Sequence, residues 1–287
     1  MRYGIVTANL GDYADPRVAV RLARAAEAAG WEAFFVWDHL GFVRGVPSGD
    51  PWVILSAVAA STTHLKLGLA VTPLARRRPQ VLANALASLD LLSAGRAIFG
   101  VGLGGVPEEF TAFGEPGDAK QRAAMLDEGL QILDGLWSGE TVTHCGQHYT
   151  VEGVSLAPRP LQRPRIPIWI GGEGTPALRR AARWDGWLAP ATSHDGTPTM
   201  SKSPERIAEM VATIRRQRTT TGPFEVAIDG YSEAGDPALP RAYQAAGATW
   251  WLESIHGMRG PPEEIMQRVE AGPPARGELG PPTRALG

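Results

Sequence analysis

Residues 79–102 read PQVLANALASLDLLSAGRAIFGVG, and one repeat of the fold is written in them. Pro79 opens a stretch in which Val81, Leu82, Ala85, Leu86, Leu89 and Leu92 recur at helical spacing. Gly95 then breaks the pattern, and Ala97–Gly102 follows as a short apolar run ending in glycine. A helix that returns through a tight turn into a buried strand is half of a βαβ unit. Working outward, similar runs stand at Tyr3–Ala8, Ala33–Trp37 and Leu67–Thr72 before it, and at Ile168–Gly171, Gly186–Ala189, Glu225–Asp229 and Ala248–Leu252 after it. The first four recur about every thirty residues, the length of one βα repeat. Eight such strands predict an α/β fold, a single (β/α)8 TIM barrel.

The intervening segments agree. Asp15-Pro16 opens a helix that Gly30 ends, and Asp50-Pro51 opens the next in the same way. Between strands four and five lies an insertion with a helix at about Arg122–Trp137 and a hairpin over Thr141–Val151 turning at Gly146-Gln147. Thr192–Ser203 is polar and aperiodic, so it is expected to be a mobile loop over a site. The barrel domain is expected over residues 1–271, with a Gly- and Pro-rich tail, 272–287, expected to be disordered. The helix from Pro79 is apolar over more than one face, which predicts a homodimer through the second and third helices.

Composition narrows the function classes. Of 287 residues, 44% are hydrophobic and 20% charged, ordinary for a globular protein, and the formal charge of −2 does not point to nucleic acid or a membrane surface. Cys145 is the one cysteine, so no internal disulfide is available, and with no apolar run of membrane-spanning length the expected location is the cytoplasm.

Barrel active sites lie at the C-terminal ends of the strands. Strand two ends in Trp37-Asp38-His39, where a histidine can exchange a proton with a ligand and an adjacent carboxylate can orient it. Strand four ends in Gly100-Val101-Gly102-Leu103-Gly104-Gly105. These glycines admit a flat ring or a phosphate, although the GxGxxG spacing occurs without the acidic strand end of a dinucleotide fold. Strand five ends in Gly171-Gly172-Glu173-Gly174, ahead of a helix near Pro176, a setting that suits an anion. Carboxylates near strand ends, Asp38, Glu108, Glu109, Glu173, Asp229 and Glu253, leave a barrel glycoside hydrolase as a rival class. His144, Cys145 and His148 could suggest zinc, but a hairpin need not bring them to one face and no fourth ligand is evident, so no metal is expected. Trp37, Trp169, Trp187, Trp250 and Trp251 fall in or beside strands, and an aromatic-lined mouth suits a planar cofactor.

In this order the segments resemble the luciferase-like monooxygenase family from about Tyr3 to Val269. Four stretches carry the likeness: Ala29-Gly30-Trp31-Glu32 through Val36-Trp37-Asp38-His39-Leu40; Leu67 to Pro73 with Arg78-Pro79; Leu89 to Arg96 running into Gly100-Val101-Gly102; and Pro167 to Gly172 followed by Ala182 to Trp187. The resemblance implies an oxidoreductase that binds coenzyme F420 or FMN. By it, Asp38 and His39 are the catalytic pair and line the reactive part of the ring, and Ala70-Val71 is a non-proline cis peptide beneath it. Gly102, Leu103 and Gly104 border the ring, and Gly171 and Gly172 with Thr192 hold the phosphate. Asp-His, where flavin-using members often carry Glu-His, favours F420 and hydride transfer to or from a small organic substrate. The alternative is an FMN-dependent monooxygenase served by a separate flavin reductase. Members that oxidise sugar phosphates have a glutamate where Leu103 stands, so their substrate is not carried over. Arg76-Arg77-Arg78 and Lys202 are candidate cations for the anionic tail of F420.

Overall fold

The computed structural model describes residues 1–193 and 197–274. The expected tail lies outside them beyond residue 274, as does the middle of the Thr192–Ser203 loop.

The barrel strands are β1 (Arg2–Thr7), β2 (Ala33–Val36), β3 (Lys66–Leu69), β4 (Ala97–Gly102), β5 (Ile168–Gly171), β6 (Gly186–Ala189), β7 (Glu225–Gly230) and β8 (Trp250–Ile255). All pair in parallel in the order β3-β2-β1-β8-β7-β6-β5-β4. The circle closes where Leu67 and Gly68 of β3 meet Ala97 and Ile98 of β4. Each expected strand is present, with ends shifted by up to three residues; Thr72-Pro73 resumes pairing with β4 after a break at Ala70-Val71.

Among the described residues, eight longer helices surround the barrel: α1 (Pro16–Ala29), α2 (Pro51–Ser61), α3 (Pro79–Leu92), α4 (Ala119–Ser138), α5 (Thr175–Ala181), α6 (Pro204–Gln217), α7 (Ala238–Ala245) and α8 (Pro262–Glu270). Their starts follow local chemistry. The Asp15 carboxylate accepts from the N–H of Arg17, and that of Asp50 from Trp52 and Val53, with proline at the first helical position each time. The expected hairpin forms from Val142–Cys145 and Thr150–Val154, and it follows α4, which is the barrel's own helix. The breadth of apolar surface on α3 has an explanation within the chain: α3 packs on α2 and α4, and Trp137 of α4 donates its indole N–H to Ala83. Val53, Val81 and Leu92 stay exposed on α2 and α3.

Two apolar layers result. The larger lies between sheet and helices and includes Trp187 and Trp251. The smaller fills the barrel, where Phe35 stacks on Trp169 at 5.6 Å and Trp169 meets Trp250 at 5.9 Å. Of the five tryptophans at strands, only Trp37 reaches the cavity at the C-terminal mouth; the other four are core. No described helix is long and apolar enough to cross a membrane.

Candidate functional site

A cavity of about 240 Å³ opens at the C-terminal ends of the strands. Val6, Val71, Leu188, Ala189, Ala227 and Leu252 make it largely apolar, and His39, Thr192, Ser193 and Asp229 bring polar groups to it. His39, Ala70, Val71, Gly171, Gly172 and Thr192, all expected at the site, line it. Asp38, Gly102, Leu103 and Gly104 stand behind the lining.

The peptide between Ala70 and Val71 is cis. Val71 projects between the ends of β4 and β5, and this explains two glycines. A Cβ on Gly102 would lie 2.8 Å from Val71 Cγ2, and one on Gly171 2.7 Å from Val71 Cγ1, closer than side-chain carbons approach. These glycines make room for a valine that lines the cavity.

His39 is held from three directions. Its backbone N–H donates to Asn9 Oδ1 (3.1 Å), and its carbonyl accepts from Asn9 Nδ2 (2.9 Å). Its ring meets Trp37 edge-on at 5.8 Å. Nδ1 lies 2.8 Å from Glu109 Oε1, so Nε2 is the nitrogen left for the cavity. Glu109 is 2% exposed. Burial pushes its pKa up, but the hydrogen bond and charge of His39, the N–H of Leu40 and the charge of Arg76 outweigh this and hold it below the ordinary glutamate range. An ionised Glu109 makes Nδ1 the donor.

Asp38 serves this pair from behind. Its side chain is fully buried and accepts from Arg76 Nη2 (2.6 Å) and from Arg77 Nη2 (2.8 Å to Oδ1, 2.9 Å to Oδ2). Arg76 also donates to Glu109 and to the Asp38 carbonyl. Arg76 thus ties the end of β2 to the segment after β4, and Asp38 anchors the arginine rather than orienting the histidine. The expectation that Arg76 and Arg77 reach for a cofactor tail is corrected: both turn inward to carboxylates that would otherwise be buried unpaired. Lys202 is likewise engaged, by the Pro190 carbonyl and Glu173. Sequence reasoning placed Glu109 only among scattered carboxylates. A signal was there in its position just past a glycine-rich strand end, but its partner is 70 residues away.

The opposite wall is made of backbone. Asp229, at the end of β7, accepts from the Ala191 N–H (2.9 Å) and the Thr192 hydroxyl (2.7 Å), so that hydroxyl proton is committed to a carboxylate. Trp187 donates to the Gly172 carbonyl (2.7 Å) and fixes the turn after β5. Among the described residues the N–H groups of Glu173 and Gly174 donate to nothing, leaving them available to an anion. Beyond Trp37 lies His256, 2% exposed, with its ring 4.8 Å from Trp37 and Nε2 3.0 Å from the Tyr231 hydroxyl. Burial, aided by the Arg259 charge, lowers its pKa to about 4, so it is neutral at pH 7.

The other candidates are accounted for. Glu253 is buried against Arg259 and Arg268. With Asp38, Glu109 and Glu253 all paired to arginine, no two of them form the free carboxylate pair that a glycosidase requires. His144 is hydrogen bonded to Glu128 (3.0 Å).

Comparison with known proteins places the chain in a family. The family model described as luciferase-like monooxygenase matches residues 1–270. An uncharacterised protein of Mycobacterium tuberculosis is 31% identical over 240 residues, 75% of this chain and 78% of that protein. The F420-dependent glucose-6-phosphate dehydrogenase of Microbacterium testaceum is 37% identical over 163 residues, 55% of this chain and 47% of its own length. The coenzyme F420-dependent tetrahydromethanopterin reductase of Methanopyrus kandleri has the same fold, with a TM-score of 0.75 at 18% identity over 94% of this chain and 96% of that one.

Proposed function

The chain belongs to the luciferase-like monooxygenase family and is an oxidoreductase, and from that premise we propose that it transfers a hydride between coenzyme F420 and an alcohol or carbonyl carbon of a small organic substrate. One observation carries the reading: an apolar cavity into which a single histidine, backed by a buried ionised glutamate, brings an exchangeable proton. F420-dependent relatives support the choice of cofactor, as does Asp38-His39 in place of Glu-His.

The residues fit such a group. Val71, Leu188, Ala189 and Leu252 offer apolar surface to a flat ring, and the turn from Gly171 to Gly174 offers N–H groups to a phosphate. A bound F420 would supply the two-electron, hydride-transfer chemistry. His39 takes the hydroxyl proton at Nε2 as the alcohol becomes a carbonyl, and gives it back in reverse. Glu109 holds the ring in one tautomer and stabilises the imidazolium. Arg76 keeps Glu109 ionised, and the apolar walls exclude water from the reacting atoms. The reading includes a homodimer built through the exposed Val53, Val81 and Leu92 on α2 and α3.

The test is a titration of the purified protein with F420 and with FMN, read by absorbance and fluorescence. F420 is expected to bind more tightly, and its absorbance to fall when an alcohol substrate is added without oxygen. Tighter FMN binding, or oxygen uptake driven by reduced FMN, would instead make the protein an FMN-dependent monooxygenase.

A further inference from the structure

We infer that the substrate carries an apolar chain or ring that leaves the cavity across Phe42 and Phe113, an inference that rests on the hydride-transfer reading above. Phe42 is 56% exposed and Phe113 54%, and their rings meet edge to face at 6.2 Å. Among the described residues they are the exposed phenylalanines; Phe34, Phe35, Phe99 and Phe110 are buried and Phe224 half-buried. Two large rings left in water at one spot mark a surface that something apolar covers.

Their position says what. Phe42 lies three residues beyond His39, in the turn Gly41–Arg44 that follows β2. Phe113 lies just past the short helix Glu108–Thr111 that carries Glu109. The contact that joins His39 to Glu109 therefore also brings the two phenylalanines together, close in sequence to the pair that serves the cavity. Met258, after β8, lines the cavity and is itself 37% exposed, so apolar surface is present at the opening as well as inside.

Volume gives the second argument. About 240 Å³ is below the roughly 300–1,000 Å³ usual for ligand sites, so the cavity has room for a ring system and the reacting end of a substrate but little else. The remainder of the substrate must emerge at the mouth. Arg44, half-exposed here, leans toward Glu109 at 3.6 Å, and Arg76 is paired with the same carboxylate, so the path favours a neutral, apolar continuation over a charged one.

The test uses 2-alkanols from 2-butanol to 2-decanol with F420, and the matching 2-alkanones with reduced F420. Binding of the same 2-alkanones to cofactor-free protein is followed in parallel by tryptophan fluorescence. Expected is a gain in kcat/KM and in affinity of about three- to fourfold per methylene until the chain clears the rim, with kcat nearly constant. The double variant Phe42→Ser/Phe113→Ser should lower kcat/KM for 2-decanol about tenfold and leave 2-butanol within twofold. No dependence on chain length in the wild type, in turnover and binding alike, overturns the inference. So does a double variant that loses a dimer while keeping the chain-length dependence, which would assign the patch to a second copy. Failure of every alcohol and ketone to react would count against the hydride reading, whereas the cofactor-free binding series still decides this one.

Discussion

The two walls of the cavity are built by different means. On the β2 and β4 side, Asp38, Arg76, Arg77, Glu109 and His39 form a chain of ion pairs and hydrogen bonds, with both carboxylates almost wholly buried. On the β5 to β7 side, glycines, main-chain N–H groups and one carboxylate that braces a loop do the work. Charge is concentrated where the proposed reaction moves a proton. Where a ligand has only to be held, the main chain suffices, because its dipoles are fixed by the fold and carry no net charge to desolvate. Substitutions on the two walls should therefore fail differently, the first in turnover and the second in binding.

The largest expected effect is that of His39→Ala: kcat falls roughly 10²–10⁴-fold while F420 binding stays within a few-fold. Steady-state turnover beside a fluorescence titration checks it, and an unchanged kcat would erase the contrast between the walls.

Glu109→Gln should lower kcat by roughly 10–100-fold and alter the pH–rate profile, because Nδ1 then faces a neutral amide. A merely structural role would leave the shape of that profile unchanged. Stability gives a second readout. The folded pKa of Glu109 is depressed, so its contribution is present above the ordinary glutamate range and is lost as the pH falls through and below that range. The variant should lack that acid-side loss in thermal melts.

On the other wall, Gly171→Ala sets a methyl against Val71. Overpacking of this kind costs roughly 1–3 kcal/mol, and F420 affinity should drop about tenfold with kcat nearly retained. Equal losses in kcat and affinity would show that the cavity floor takes part in more than holding.

The smallest effect sharpens the comparison between the two histidines beside Trp37. The pKa of His256 is lowered from 6.5 to about 4, so the unfolded chain takes up a proton first and stability falls as the pH drops through that interval. His256→Leu should flatten this decline, raising Tm at pH 5 relative to pH 7 by roughly 5 °C, and leave the pH–rate profile above pH 6 unchanged. A shifted profile would give His256 a share in proton transfer.

Much of this was legible in the chain before folding. Helical spacing from Val81 to Leu92, the Asp-Pro starts of α1 and α2 and the glycine-ended apolar runs identify the elements, because each signal acts within a few residues. The motifs at Asp38-His39, Gly102 and Gly171-Gly172 stand at the C-terminal ends of β2, β4 and β5, where the cavity opens. Their purposes were not legible. Gly102 and Gly171 are glycine because of Val71, which chain closure brings between β4 and β5.

By itself, then, the sequence determined a parallel barrel and the family to which it belongs, through local periodicity, capping and motif order. Only the tertiary structure decided that Glu109 backs His39 across 70 residues, that Arg76 and Arg77 turn inward, and that Phe42 meets Phe113. Such pairings depend on closing the circle of strands. They are fixed by distances in space, where a buried carboxylate takes whichever cation the closed barrel brings within reach.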